Sequence, residues 1–167
     1  VCGGSGVGKS ETASLLGHAL QVSGIGSYIL SGDNYPHRIP MQNDAERLRV
    51  FRCGAVSGLV ASGLYRPEAR DTLRHLQETD TDADPALCAS YPWLTIYQNE
   101  GKKALSGYLG SEKELNFAEL SGIIQQFKTG AQALYLKRMG RTPLDLWYDR
   151  VDFSDKHVLM IEWTHGN

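Results

Sequence analysis

The first ten residues, VCGGSGVGKS, constrain this chain more than any other stretch. Gly3, Gly8, Lys9 and Ser10 satisfy the spacing G-x-x-x-x-G-K-[ST], and Gly4, Ser5, Gly6 and Val7 fill the loop between them. Glycine tolerates positive φ and lets the backbone approach a ligand closely, so such a loop can point successive N–H groups at an anion. The residues that follow, ETASLLGHAL, put apolar side chains at Ala13, Leu16, Ala19 and Leu20, the spacing of one helical face. A helix opening directly from the loop adds its positive end to the same anion site. This P-loop pattern predicts that residues 3–10 hold nucleotide phosphates, with Lys9 on the β and γ phosphates and the Ser10 hydroxyl on Mg²⁺.

The next stretch supplies a carboxylate. Gly24-Ile25-Gly26 ends the helix, and SYILSGD, Ser27 to Asp33, reads as a short buried strand. In a β-α-β unit the ligand crevice lies outside the carboxyl ends of the strands, so Asp33 is expected to face the crevice of the P-loop. Gly-Asp-Asn is also ordinary turn chemistry, which is the alternative for Asp33. Pro40 makes HRIP extended, and Asn43 with Glu46 reads as a capping box. The helix it opens buries Leu48, Phe51, Ala55, Val56, Leu59 and Val60. Arg47, Arg49 and Arg52 fall on its other faces, either as a grip for an anionic substrate or as a solvated surface.

Residues from about 65 to 116 read as an insertion or cap on one core domain. ARDTLRHLQ continues as helix, and TDTDADP is an acidic solvated loop lacking the glycine and terminal glutamate of a calcium loop. YPWLTIYQ has strand-like composition. Order returns with a second capping box, Asn116 and Glu119, opening a helix with Phe117, Leu120, Ile123, Ile124 and Phe127 in its stripe and its end near Gly130. YLKRMGR groups Lys137, Arg138 and Arg141, as an anion clamp or a basic surface turn. VLMIE is a strand too apolar to be half exposed, and it ends on Glu162. An acid closing a buried strand downstream of a P-loop stands where Mg²⁺ or its water shell is held, as in a Walker B strand.

Composition narrows the classes. A chain of 167 residues, 41% hydrophobic and 22% charged, is long enough for one sizeable core and ordinary for a folded domain. A net charge of −2 gives no support for a nucleic-acid-binding surface. Cys2, Cys53 and Cys88 are odd in number and lack C-x-x-C spacing, which indicates free thiols in a reducing, cytoplasmic setting and no zinc site. No long apolar run suggests a membrane span. Both ends read as cut: only Val1 and Cys2 remain of the strand expected before the loop, and HVLMIEWTHGN stops where a loop should begin.

With these pieces in view, the chain resembles P-loop small-molecule kinases of the uridine kinase and phosphoribulokinase superfamily. GGSGVGKS is similar to the family's loop and LSGDNYPHR to its second strand with a substrate-side aspartate. The succession from LNFAELSGIIQQFKTG through WYD to VLMIEWTHGN is similar to its helix, glycine, Y-D and acidic strand. Trp163 stands where the family usually has glycine, 65–116 has no counterpart, and the family's lid is expected beyond Asn167. The resemblance implies an α/β fold, a three-layer α/β/α P-loop NTPase sandwich with a parallel sheet and a largely helical insertion, incomplete over 1–167. It implies ATP-dependent, Mg²⁺-assisted transfer of the γ-phosphoryl group to a hydroxyl of a nucleoside, sugar or related metabolite.

Lys9, Asp33 and Glu162 would then be catalytic, Ser10 and Glu162 would hold the metal, and Asp33, Tyr35, His37, Arg38 and Arg47 would bind the acceptor. The partners implied are ATP and a small hydroxyl acceptor, with no nucleic acid or membrane; a homo-oligomer is left open. SGDN followed by HR is also similar to adenylylsulfate kinase, whose anionic sulfonucleotide would suit Arg38, Arg47 and Arg49. A reading from another class is a nucleotide-binding regulatory module, in which the P-loop drives a switch and no metabolite is phosphorylated.

Overall fold

The computed structural model describes residues 1–4 and 6–164, so Ser5 of the predicted loop and the closing HGN lie outside the described residues. Along the chain run α1 (Lys9–Val22), β1 (Ser27–Ser31), α2 (Pro40–Ala61), α3 (Pro67–Glu78), α4 (Leu94–Tyr108), α5 (Phe117–Lys128), β2 (Ala133–Met139), β3 (Leu146–Asp152) and β4 (Val158–Glu162). They gather into two units, Val1–Asn43 with Gly110–Asn167, and Asp44–Leu109.

In the first unit β1 and β4 pair in parallel, in register from Ser27↔Val158 to Ser31↔Glu162. Past the end of β4 a parallel bridge joins Trp163 to Cys2. Trp163 N donates to Val1 O at 3.0 Å, and the Val1 nitrogen donates to Ile161 O at 2.8 Å. β4 is therefore flanked by β1 and by the residues that lead into the glycine loop. Leu30 and Trp163 join Leu120 and Ile123 of α5, Leu134 and Leu136 of β2, and Phe153 in one core. On the opposite face Gly17 of α1 comes close to Ile29 and Met160, as a Cβ there would lie 3.5 and 3.4 Å from their side chains. Only Lys9 and Ala13 of α1 are buried, while Leu16 is 48% exposed, so the helix packs through Gly17 and not through the whole predicted stripe.

A purely parallel sheet is not what forms. β2 and β3 make an antiparallel hairpin from Ala133↔Asp152 to Met139↔Leu146, so the unit is α/β with a small parallel sheet and a separate antiparallel one. YLKRMGR is accordingly the end of a strand and not a surface turn. Lys137 is buried, with Nζ 3.4 Å from Glu119 Oε2. Arg138 donates to Asp149 and to the Tyr28 hydroxyl, both at 2.8 Å. β4 is half-buried along its length, contrary to the expectation from its apolar composition, because few elements cover a sheet this narrow. A buried carboxylate also braces this unit: Glu114 accepts from Asn43 Nδ2 at 3.2 Å and from Gly110 N at 2.7 Å.

Asn43 is consequently not a helix cap. α2 already begins at Pro40, where the missing N–H costs nothing, and Asn43 N donates to Ile39 O at 2.9 Å inside the helix. In the second unit Phe51, Ala55 and Leu59 of α2 pack with Leu73, Leu76, Leu94 and Tyr97. Leu48 and Val60, expected on the buried face, are 42% and 57% exposed. YPWLTIYQ enters helix α4 instead of a strand. Glycine explains part of the change: a Cβ at Gly101 would meet the Phe51 ring at 2.7 Å, so helices α2 and α4 touch through a side-chain-free position that a strand reading cannot foresee.

TDTDADP is not merely solvated either. Asp82 is 2% exposed and accepts from Arg52 Nε (3.1 Å) and Nη2 (2.8 Å) and from the Tyr97 hydroxyl (2.6 Å). Burial pushes its carboxyl up, but hydrogen bonds from Arg52 and Tyr97 and the Arg52 charge outweigh that and hold it below the usual range.

Candidate functional site

The loop enters α1 through Gly8, which caps the helix in the left-handed conformation (φ +82°, ψ +27°), and Gly6 is also left-handed at φ +76°. A Cβ at either would be strained, so the loop can turn its N–H groups inward only with glycine there. The N-cap, Gly8, has no side chain with which to bond the first N–H groups of the helix. Lys9, the first helical residue, is 9% exposed, and its Nζ donates to Gly4 O at 2.8 Å. Ser10 is exposed on the first turn, and Thr12 Oγ1 closes that turn on Gly8 O at 2.8 Å. Glycines with positive φ leading into a helix N-terminus, with the Lys9 ammonium on the loop carbonyl of Gly4, make a form suited to a polyanion.

The carboxylates come from the sheet. Glu162 is the last residue of β4, and in the register it faces Ser31, the last residue of β1. Beyond Ser31 the chain makes a single 3-10 turn, Gly32–Asn34, so Asp33 sits exposed in a turn past the strand end and not in the strand itself. Thr164 Oγ1 reaches Asp33 Oδ2 at 3.4 Å. Asn34 locks the turn on both sides, donating to Ser31 O at 3.5 Å and accepting from Met139 N at 3.1 Å. Through the Cys2–Trp163 bridge, the glycine loop, Glu162 and Asp33 leave the carboxyl edge of one parallel array.

The other predicted residues lie as follows. Tyr35 is fully buried, burial pushes its hydroxyl up to about 12, and that hydroxyl has no partner among the described residues. His37 is exposed, its Nε2 3.1 Å from Glu112 O, on the wall of a 380 Å³ hollow with Asn116 and Phe117. Arg38 donates to Lys113 O at 3.4 Å. Arg47, Arg49 and Arg52 belong to the second unit, and each is paired: with Asp44 (3.4 Å), Glu46 (2.7 Å), and Asp80 and Asp82 (2.8 Å each). Arg141 is exposed. The G-D-N turn chemistry already put Asn34 in the turn with Asp33, whereas Thr164 as a partner of the Asp33 carboxylate carried no signal in the sequence. Among the described residues no group of three or more His, Cys, Asp or Glu is arranged to hold a metal ion, no cysteine is in a disulfide, and no helix is long and apolar enough to cross a membrane.

The site is thus of the class that joins a glycine loop, a helix N-terminus and two strand-end carboxylates. The chain is 31% identical over 166 residues to the bifunctional alpha-galactosidase/sucrose kinase AgaSK of Mediterraneibacter gnavus. The match takes in 99% of this chain but only 13% of that relative's length. No protein-family model and no solved structure matches.

Proposed function

We propose that this chain carries the phosphoryl-transfer site of a small-molecule kinase whose acceptor is a sugar hydroxyl. The observation that carries the reading is the shared sheet edge: the Cys2–Trp163 bridge and the Ser31–Glu162 register bring the lysine-bearing loop, Glu162 and the Asp33 turn to one side of the parallel strands. The relative's name, which includes a sucrose kinase, supports a sugar acceptor and a phosphotransferase. The second-strand likeness to uridine kinases supports the placement of Asp33 on the acceptor side.

In this reading ATP lies with its β and γ phosphates against the loop N–H groups, and Lys9 leaves Gly4 O to neutralise charge that grows on the transferring group. Mg²⁺ is ordinarily held by one or two protein oxygens together with substrate phosphates; Ser10 and Glu162 are oxygen donors of that kind and would hold it, and it would supply neutralisation of phosphate charge. Asp33, exposed and oriented through Thr164, accepts a hydrogen bond from the attacking hydroxyl and takes its proton as the O–P bond forms. ADP is the leaving group. The products are ADP and a sugar phosphate.

The test is ADP release by the full-length protein with ATP and Mg²⁺ across a panel of mono- and disaccharides and of nucleosides. Release stimulated by one or a few sugars supports the reading. Release that is unchanged by every sugar and nucleoside tried would replace it with a nucleotide-driven switch.

A further inference from the structure

Trp163 occupies a crossing point. Its backbone joins the glycine-loop segment, since its N donates to Val1 O and it bridges Cys2, and it follows Glu162 directly. Its indole lies flat on the turn that carries Asp33: a Cβ on Gly32 would come within 2.6 Å of both Cδ1 and Cδ2. Gly32 has no positive φ, so the nearest obstacle to a side chain there is this ring and not backbone strain. Phe117 backs the ring edge-on, with centroids 5.5 Å apart. The next residue, Thr164, reaches the Asp33 carboxylate itself.

One feature argues against simple core filling. Trp163 is 6% exposed, yet its Nε1–H has no hydrogen-bond partner among the described residues. A buried indole usually finds a partner, and leaving one unmade costs stability that Phe or Leu would not lose. An indole placed here at a local penalty points to a role in the site.

We propose that Trp163 is the positioning residue for Asp33: the indole, pressed on Gly32, fixes the 3-10 turn so that the carboxylate holds its place at the sheet edge. The proposal rests on the kinase reading for its consequence in turnover, but not for its mechanical content. Gly32 and Trp163 form an obligate pair in it, a ring that replaces a small residue and a glycine that makes room for the ring. Misplacement of a reacting group by about 1 Å can cost roughly 10²-fold in rate, so a loosened turn is read in kcat.

The experiment compares wild type, Trp163→Ala, Trp163→Phe, Gly32→Ala and the double variant Gly32→Ala/Trp163→Ala in the full-length protein. Amide hydrogen exchange over 31–35 is read together with ATP affinity and the kcat and KM of sugar-stimulated ADP release. Trp163→Ala is expected to speed exchange in the turn and to lower kcat by about 10²-fold, with ATP affinity held within about threefold. Trp163→Phe, which keeps a flat ring, should return exchange and kcat close to wild type. Gly32→Ala should disturb the turn in the presence of Trp163 and much less in its absence. Should Trp163→Ala fail to fold, Trp163→Leu and its Gly32→Ala double carry the same comparison. Unchanged exchange in the truncated variant overturns the proposal. So does loosened exchange with undiminished kcat. If wild type shows no sugar-stimulated release, the kinase reading falls, and the brace stands or falls on the exchange data alone.

Discussion

Lys9 folds back on its own loop, its Nζ donating to the Gly4 carbonyl at 2.8 Å. The ammonium is thus held on the loop that leads into α1. Its hydrogen bond stays within the loop and does not tie the loop to the core. Lys9→Ala is therefore expected to leave the melting temperature close to wild type while turnover falls by about 10²–10³-fold, the usual cost of removing one donor from a developing negative charge. Paired circular-dichroism melting and ADP-release assays check it. Near-wild-type turnover from the folded variant would remove the loop from the mechanism.

Asp33 separates a kinase from a switch. The Asp33→Asn variant keeps the turn, because Asn is nearly as good as Asp in this position and can still accept from Thr164. ATP affinity by titration should be unchanged. Turnover should drop by about 10²–10⁴-fold, in kcat more than in KM, as expected for loss of a general base. Weakened ATP binding instead would move Asp33 to the metal side of the site, beside Ser10 and Glu162.

Arg52→Ala tests the buried centre of the second unit. Asp82 would be left without its guanidinium, a loss of about 3 kcal/mol, at the low end for orphaning a buried charge because Arg52 is itself partly solvated. The sign with pH follows from the depressed Asp82 carboxyl. Its contribution is fully present above the ordinary carboxylate pKa of about 3.9 and is lost as pH falls below that value. Urea unfolding should therefore show a wide gap between wild type and variant at pH 7 that narrows below pH ~4. A gap that persists undiminished in acid would assign the loss to packing of the arginine stem.

Tyr35→Phe should stabilise the first unit. The Tyr35 hydroxyl is sealed from solvent without a well-formed hydrogen bond among the described residues, the Lys137 backbone only lowering its pKa against burial, so its removal should gain up to about 1 kcal/mol. Burial holds the folded hydroxyl near 12, whereas an unfolded tyrosine ionises near 10. Wild type should thus lose stability as pH rises from about 10 to 12, and the Phe variant should lose less. Thermal melts across that range test both statements. A lower melting temperature for Tyr35→Phe at neutral pH would mean that the hydroxyl has a hydrogen-bonded partner after all.

Local chemistry determined what could be read directly. GGSGVGKS dictates a glycine-rich turn into a helix, and α1 runs Lys9–Val22. Asn116 caps α5 by accepting from Glu119 N at 3.1 Å, although its own N–H goes to Tyr35 O and not to the Glu119 carboxylate, so only half of the box forms. SYILS and VLMIE form strands because β-branched and long apolar side chains have no better use. Each of these signals is complete within a few residues of chain. They fix half of the candidate site, Lys9, Ser10 and the strand-end Glu162, without reference to anything distant.

What only the tertiary structure decided depends on partners far along the chain. Whether YLKRMGR is a turn or a strand is settled by its pairing with Leu146–Asp152, and whether YPWLTIYQ is strand or helix by the close approach of Phe51 to Gly101. Asp82 looks like any loop aspartate until Arg52, 30 positions earlier, reaches it. The Asp33 turn is held the same way: Trp163 and Gly32 are 131 positions apart, and the sequence gives no sign that one requires the other. Short-range dihedral and capping preferences are written into neighbouring residues, whereas shape complementarity exists only once distant segments share the same space.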